Sequence, residues 1–373
     1  MRLTAALLPR LAESLRLSGQ FGTAKPQGVV DCNERRLDKT EMLAPAPRAD
    51  FFNDPMTQDT SKGFKIHRRR FLQTAATASY GFSLPALGQV ATPKAGTVRD
   101  RLWIFCNPVN ADYDAIRHRS MMSPCEGAIY LGIPNILMVN QYPEGRPGTL
   151  RGEEGWSLPW EPPLEQYAIP LKMLKRVVWS IVDAGGVTKD SERRQVLEMA
   201  HRIPNFVGVY MDDFFKGENA ANPASLTLDQ LRAVQRELKG PGKKLDSYVT
   251  FYTQFLNRPF GEYLKLIDVI TLWTGHVQDL QNLDANLALL EKLAPKSRKM
   301  LGLYQTDYNE KRVPPWIGMP VEAMQHQCEA ALRALRDGRI EGIIFYGCTV
   351  LDQGFKSVDW ARNWIQKVGD TKL

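Results

Sequence analysis

From about residue 100 the chain alternates short apolar runs with stretches of helical periodicity. The apolar runs fall at 102–106, 135–140, 177–182, 206–211, 247–253, 268–273, 300–304 and 342–346. Most are near-continuous in Val, Ile, Leu and aromatic residues, as strands are when both faces of a parallel sheet are covered. Between them, 191–201, 227–239, 280–293, 321–335 and 359–368 repeat apolar residues at helical spacing. In one of these, Leu228, Leu231, Val234 and Leu238 share a face, with Ser225 and Thr227 ahead of it as caps. The helices before the second and third strands are less regular. Residues 112–131 contain a Ser123-Pro124 interruption, and 164–175 is broken at Pro170.

Eight strands alternating with helices over some 270 residues match the usual length of a single (β/α)8 TIM barrel, and the pattern predicts one α/β domain over residues 89–373. A doubly wound sheet would carry a Gly-rich phosphate turn after its first strand. Here that strand runs into Cys106-Asn-Pro-Val-Asn110, with no such turn. The segment 142–163, with Trp156 and Trp160, is long enough to be read as a functional loop or lid.

Ahead of the barrel pattern the sequence changes character. His67-Arg-Arg-Arg-Phe-Leu-Gln73 is followed by an uncharged stretch, 74–88, ending in small residues. A basic start, a modest apolar segment and a small-residue end form an export signal. The apolar part falls short of the roughly 20 residues that span a bilayer. Arg68-Arg69-x-Phe71-Leu72 resembles the twin-arginine (Tat) signal, with His67 where that pattern usually has Ser or Thr. The resemblance implies a Tat translocase as partner and a periplasmic or secreted protein. No lipobox cysteine follows, so no stable membrane anchor is expected. Met56 is the expected start of the signal, and 1–55 is read as an over-extended or disordered N-terminus.

This division changes the meaning of the charge. The whole chain of 373 residues has a formal net charge of +7, but 13 Lys+Arg and 8 Asp+Glu lie in residues 1–88. The remainder carries 35 basic and 33 acidic residues, a net of +2, and a nucleic-acid partner loses its support. Four cysteines remain: Cys106, Cys125, Cys328 and Cys348. Cys106 and Cys348 end the first and last strands, which meet when a barrel closes, so a disulfide there is one reading and free buried thiols are the default. No Cys/His cluster has zinc spacing, and no metal or cofactor is expected.

In a β/α barrel the chemistry lies at the C-terminal strand ends. Those ends offer Asn107, then Asn140 and Gln141, then Asp183 before Gly185-Gly186. The fourth run, Phe206-Val-Gly-Val-Tyr-Met-Asp-Asp-Phe-Phe215, ends in Asp212, Asp213 and two rings. Later ends offer Thr253 and Gln254, then Trp273, Thr274 and His276, then Gln305, Asp307 and Tyr308, then Tyr346. Amides, carboxylates and rings around one mouth suit a sugar, whose hydroxyls need hydrogen bonds and whose C–H faces stack on aromatics. Tyr210, Trp156, Trp160 and Trp316 are further candidates for that cleft.

Glycoside hydrolysis needs a carboxylic acid that protonates the leaving oxygen and a second carboxylate. Asp212 or Asp213, with Asp307 across the mouth, supplies such a pair, and Asp183 is a third acid. Residues 100–368 thus resemble the TIM-barrel glycoside hydrolases in architecture and in acids after strands four and seven. Many of those enzymes use Glu where this chain has Asp. Alternation along the strand puts Gly208, Tyr210 and Asp212 on one side and Asp213 on the other, which favours Asp212 inward. The rival readings are a non-catalytic carbohydrate-binding barrel and a lyase or metal-assisted hydrolase that uses the Asp pair.

Overall fold

A computed structural model describes residues 96–109, 120–140, 164–217, 222–307 and 317–373. The expected signal segment, the loop residues Gln141, Trp156 and Trp160, and Tyr308 and Trp316 lie outside the described residues.

Eight parallel strands close into a barrel. In chain order they are β1 (Leu102–Cys106), β2 (Asn135–Met138), β3 (Arg176–Val182), β4 (Phe206–Met211), β5 (Asp246–Tyr252), β6 (Val269–Trp273), β7 (Arg298–Leu303) and, after a small hairpin of β8 (Thr306–Asp307) and β9 (Ile317–Gly318), β10 (Gly342–Phe345). The barrel is sealed by β1 against β10, with Leu102 opposite Ile343 and Ile104 opposite Phe345. All eight expected strands are present; the β8–β9 hairpin is additional, and two-residue strands leave no pattern to read.

The outer helices are α1 (Pro124–Leu131), α2 (Glu165–Leu171), α3 (Asp190–Arg202), α4 (Leu228–Leu238), the single turn α5 (Gly261–Leu264), α6 (Leu283–Leu293), α7 (Val321–Arg336) and α8 (Lys356–Val368). Ser123-Pro124, expected as an interruption, is where α1 starts. Ser123 caps the helix in a reciprocal box with Glu126, and Pro124 takes the first turn, where its missing N–H costs nothing. Thr227 and Gln230 cap α4 in the same way. Among the described residues no helix is long and apolar enough to cross a membrane.

Alternation along the strands decides what fills the barrel. Near its base the Arg176 guanidinium lies 4.6 Å from the Trp103 ring centre and donates to Asn135 and to the Asp100 carbonyl. Trp103 meets Tyr248 at 6.1 Å. Above them Phe105 reaches across the axis to Tyr210 at 6.0 Å and packs on Trp273 at 5.8 Å and Tyr346 at 5.4 Å. Tyr304 closes the group against Trp273 at 5.0 Å and Tyr346 at 4.9 Å. Rings this large need gaps on neighbouring strands. Gly302, paired with Trp273, is one: a Cβ there would overlap the indole. Gly302→Ala is therefore expected to destabilise the barrel by about 2–3 kcal/mol through overpacking. That corresponds to a melting midpoint roughly 4–10 °C lower by calorimetry.

The thiols at the seam are free. Cys106 and Cys348 are neighbours, both buried, and burial raises Cys106 well above its ordinary pKa, with Cys348 adding to the rise. A buried neutral thiol is a poor nucleophile. The two ends of the barrel chain are also joined, by Val98 N–H to Thr371 O at 2.9 Å and Leu373 N–H to Gly96 O at 3.0 Å.

Candidate functional site

The site is built where β3, β4 and β5 end. On β4, Tyr210 and Asp212 point the same way, into the barrel, where both meet Thr250 of β5. Thr250 Oγ1 lies 2.8 Å from Tyr210 Oη and 2.6 Å from Asp212 Oδ1. Tyr210 also bonds Thr271 Oγ1 at 2.9 Å, and Thr271 accepts from Trp273 Nε1–H at 2.9 Å. A threonine hydroxyl has one proton. With Thr250 donating to the carboxylate oxygen, Tyr210 donates in turn to Thr250 or Thr271, and the chain of hydroxyls ends on Asp212. The backbone N–H of Asp212 still continues the ladder to Val182 O at 2.8 Å.

Asp213 has left the strand. Its φ of 44° is the only positive value at a described residue other than glycine. The left-handed turn swings the side chain toward the β3 loop, where it is half-buried. Its Oδ1 accepts from Tyr252 O–H at 2.5 Å and its Oδ2 from Gly185 N–H at 2.8 Å. The two adjacent aspartates therefore occupy different environments.

Electrostatics separates them further. Burial, then the negative charge of Asp213, pushes Asp212 well above the usual carboxylate range, against the Thr250 bond that lowers it. Two like charges this close do not readily coexist, and both causes favour the protonated form of Asp212. Tyr252 is raised for the same two reasons, burial first and Asp213 second, and stays a donor. Asp183, at the end of β3, accepts from Ser180 Oγ–H and from Asn140 N–H at 3.3 Å, yet burial pushes it up to about 7.

Aromatic packing fixes the β4 loop. Phe214 and Phe215 are buried, and Phe215 packs on Phe260 at 4.5 Å and Phe251 at 5.3 Å. These rings are anchors of the loop and not part of an open cleft.

The remaining candidates divide by burial and direction. Tyr210, Trp273 and Tyr346 are 0%, 2% and 6% exposed, so they form the floor beneath the mouth. Asn107 is buried and donates to Val139 O at 3.0 Å, and Asn140 is held by Ser180 and Asp183. Gln305 shares its side of β7 with Leu303, not with the inward Tyr304. It is fully buried, donates to Tyr346 O at 2.9 Å, and accepts at its own carbonyl from Ser357 Oγ–H and Met319 N–H. One residue past Tyr304, its side chain takes the other side of the strand and is held at the end of β10 by the Tyr346 carbonyl. Gln254 is exposed in a short turn after β5, and His276 is half-buried ahead of the turn Val277–Asn282. Asp307 is half-buried in β8 and accepts from Val277 N–H at 3.3 Å. It is not among the groups whose charge acts most strongly on Asp212, Asp183 or Tyr252. The structure thus gathers Asp183, Asp212 and Asp213 at one wall, with Asp307 outside that group.

Sequence reading passed over Ser180, Thr250, Tyr252, Tyr304 and Lys216. Alternation in Tyr248-x-Thr250-x-Tyr252 held the signal for two of them. Placing the end of that strand at 253 hid it, because β5 ends at Tyr252. Among the described residues no group of three or more His, Cys, Asp or Glu could hold a metal ion.

No protein-family model and no curated protein matches the chain. Solved structures resembling it include active domain 2 of a thermostable chitinase from Pyrococcus furiosus, at 14% identity and a TM-score of 0.46 over 75% of this chain and 99% of that one. A glycoside hydrolase family 5 enzyme from Prevotella bryantii has 10% identity and a TM-score of 0.42, over 74% and 99%. An alpha-L-arabinofuranosidase from Thermotoga maritima has 13% and 0.40, over 67% and 64%. Likenesses of this strength carry no argument about reaction or substrate, and the TIM barrel rests on the closed strand order itself.

Proposed function

We propose that this barrel is an exported glycoside hydrolase-like enzyme that acts on a glycan through the aspartates at the end of β4. One observation carries the reading: two adjacent carboxyls at a barrel mouth, one buried and kept protonated by burial and its neighbour's charge, the other half-buried. Hydrolysis of a glycosidic bond needs a proton donor for the leaving oxygen, and Asp212 meets that description. Asp213 is the charge that keeps the proton on Asp212. Asp307 is the candidate on the opposite wall for activating water or attacking the anomeric carbon. Asn107, Asn140, Asp183, Gln254, His276 and Tyr308 are the polar candidates for sugar hydroxyls.

The test is release of reducing ends from a broad glycan panel by the wild type, Asp213→Asn and Asp307→Asn. Turnover by the wild type that falls about 10²–10⁴-fold in Asp307→Asn identifies Asp307 as the second carboxylate. Unchanged turnover in Asp307→Asn removes it from the mechanism. The alternative, a glycan-binding barrel without catalysis, draws on the fact that both Asp213 oxygens are already engaged. It is the outcome if calorimetry detects sugar binding and no panel member is cleaved.

Export rests on the sequence of residues 56–88. Replacing both Arg68 and Arg69 by Lys is expected to hold the protein in the cytoplasm, read by fractionation and immunoblotting; unchanged export would remove the twin-arginine assignment.

A further inference from the structure

We propose that Lys216 is a positioning residue for the Asp212–Asp213 pair, holding the Gly185-Gly186 turn against the end of β4. The inference rests on the reading of that pair as catalytic.

Both polar groups of Gly185 point at the β4 loop. Its N–H is bound by Asp213 Oδ2 at 2.8 Å, and its carbonyl accepts from Lys216 Nζ at 3.0 Å. One residue on, the Gly186 carbonyl accepts from Ser225 Oγ–H at 2.8 Å. The turn therefore sits in a clasp: Asp213 and Lys216 hold one residue and Ser225 the next. Only glycine fits it. Gly185 and Gly186 have φ of 73° and 68°, and a Cβ on Gly186 would collide with Lys216 Nζ, the Asp213 carbonyl and Ser225 Oγ.

Lys216 is itself well fixed. It follows the buried Phe214–Phe215 anchor, its N–H bonds Pro223 O at 2.9 Å, and its carbonyl accepts from Arg258 at 3.2 Å. Among the described residues it makes no salt bridge, although Asp212 and Asp213 both act on its charge. An ammonium beside a carboxylate ordinarily donates to it directly. This one is spent on a backbone carbonyl, and half-burial lowers its pKa against the pull of the two acids. Its work is to stop the β3 turn from withdrawing the N–H that fixes Asp213. Its charge also favours the ionised pair. A strained left-handed aspartate needs such fixing, since a non-glycine residue there is uncommon.

The groups facing the pair come from every neighbouring element. Asp183 at the end of β3 and Tyr210 on β4 act on or are acted on by Asp212, and Tyr252 of β5 bonds Asp213; one step further out, Lys189 acts on Asp183, Tyr304 on Tyr252, and Arg258 bonds the Lys216 carbonyl. Lys216 is the cation in this set bonded to the same glycine as Asp213.

The experiment compares Lys216→Met, Lys216→Gln and Lys216→Arg with the wild type, each checked for native circular dichroism. Loss of the charge is expected to lower kcat about 10–100-fold with KM within about threefold, and to move both limbs of the pH–kcat profile upward by about half a unit to one unit. Arg is expected to restore the profile. A lower melting midpoint with an unmoved profile makes Lys216 merely structural and overturns the proposal. Should the wild type cleave no glycan, the functional reading fails and the clasp is still measured. Carbon-13 NMR titration of the Asp212 and Asp213 carboxyls in wild type and Lys216→Met then decides: displaced midpoints support it, and superimposed curves overturn it.

Discussion

Asp212→Asn is expected to lower turnover about 10²–10⁴-fold while the barrel stays folded. The amide keeps the oxygen that accepts from Thr250, so the hydroxyl chain from Tyr210 survives. What it loses is a transferable proton. The wild-type carboxyl is poised for that transfer by two causes on one residue: burial, then the charge of Asp213. Removing the second cause is milder. Asp213→Asn leaves Asp212 buried but without its like-charged neighbour, so the proton is released more readily and the alkaline limb of the pH–rate profile moves down. Full activity of Asp212→Asn on a cleaved glycan would exclude it as the proton donor.

The second large effect is on stability. Asp183 has an ordinary carboxyl pKa of 3.8 and is pushed up to about 7 in the fold, with burial as the main cause. Between those values the folded state binds a proton that the unfolded state does not. The stability from this group is therefore complete below about pH 4 and is lost as pH rises through about 7. The shift corresponds to a loss on the order of 4 kcal/mol. Asp183→Asn retains an acceptor for Ser180 and Asn140 and cannot ionise. Urea unfolding at several pH values from 4 to 8 is expected to show the wild type losing stability relative to the variant by roughly this amount. Parallel curves would show that Asp183 does not titrate with folding. Asp183 is also one of the charges that raise Asp212, so the variant removes part of that second rise as well, and the difference between the two sets of curves reports both acids together.

The barrel was legible because its strands are buried on both faces. Val177 to Val182 and Phe206 to Met211 read as apolar runs whichever way they face, and burial agrees. Asp212 was placed inward from the parity of Gly208 and Tyr210, and it shares Thr250 with Tyr210 inside the barrel. Parity fails past the last ladder bond. Asp213 turns to a left-handed φ, and its partners Tyr252 and Gly185 come from β5 and from the turn after β3. No local pattern encodes such a meeting. Gln305 shows what sequence position leaves open: polar and next to the mouth in sequence, it is fully buried, one residue out of phase with Tyr304, with its amide on the Tyr346 carbonyl. Trp273 and Tyr346 carry the composition of a sugar platform, yet ring packing around Phe105 commits them to the floor.

That floor governs traffic. With Phe105 crossing to Tyr210, and Arg176, Trp103 and Tyr248 filled in below, the barrel axis is a stopper and not a conduit. On the proposed reading of Asp212 as proton donor, a reactant that arrives there and whatever departs from it would use the same doorway, as would the proton that resets the acid. Residence of the departing half in that doorway would set the pace of each cycle, and compounds that resemble it would compete with the incoming molecule for the same opening.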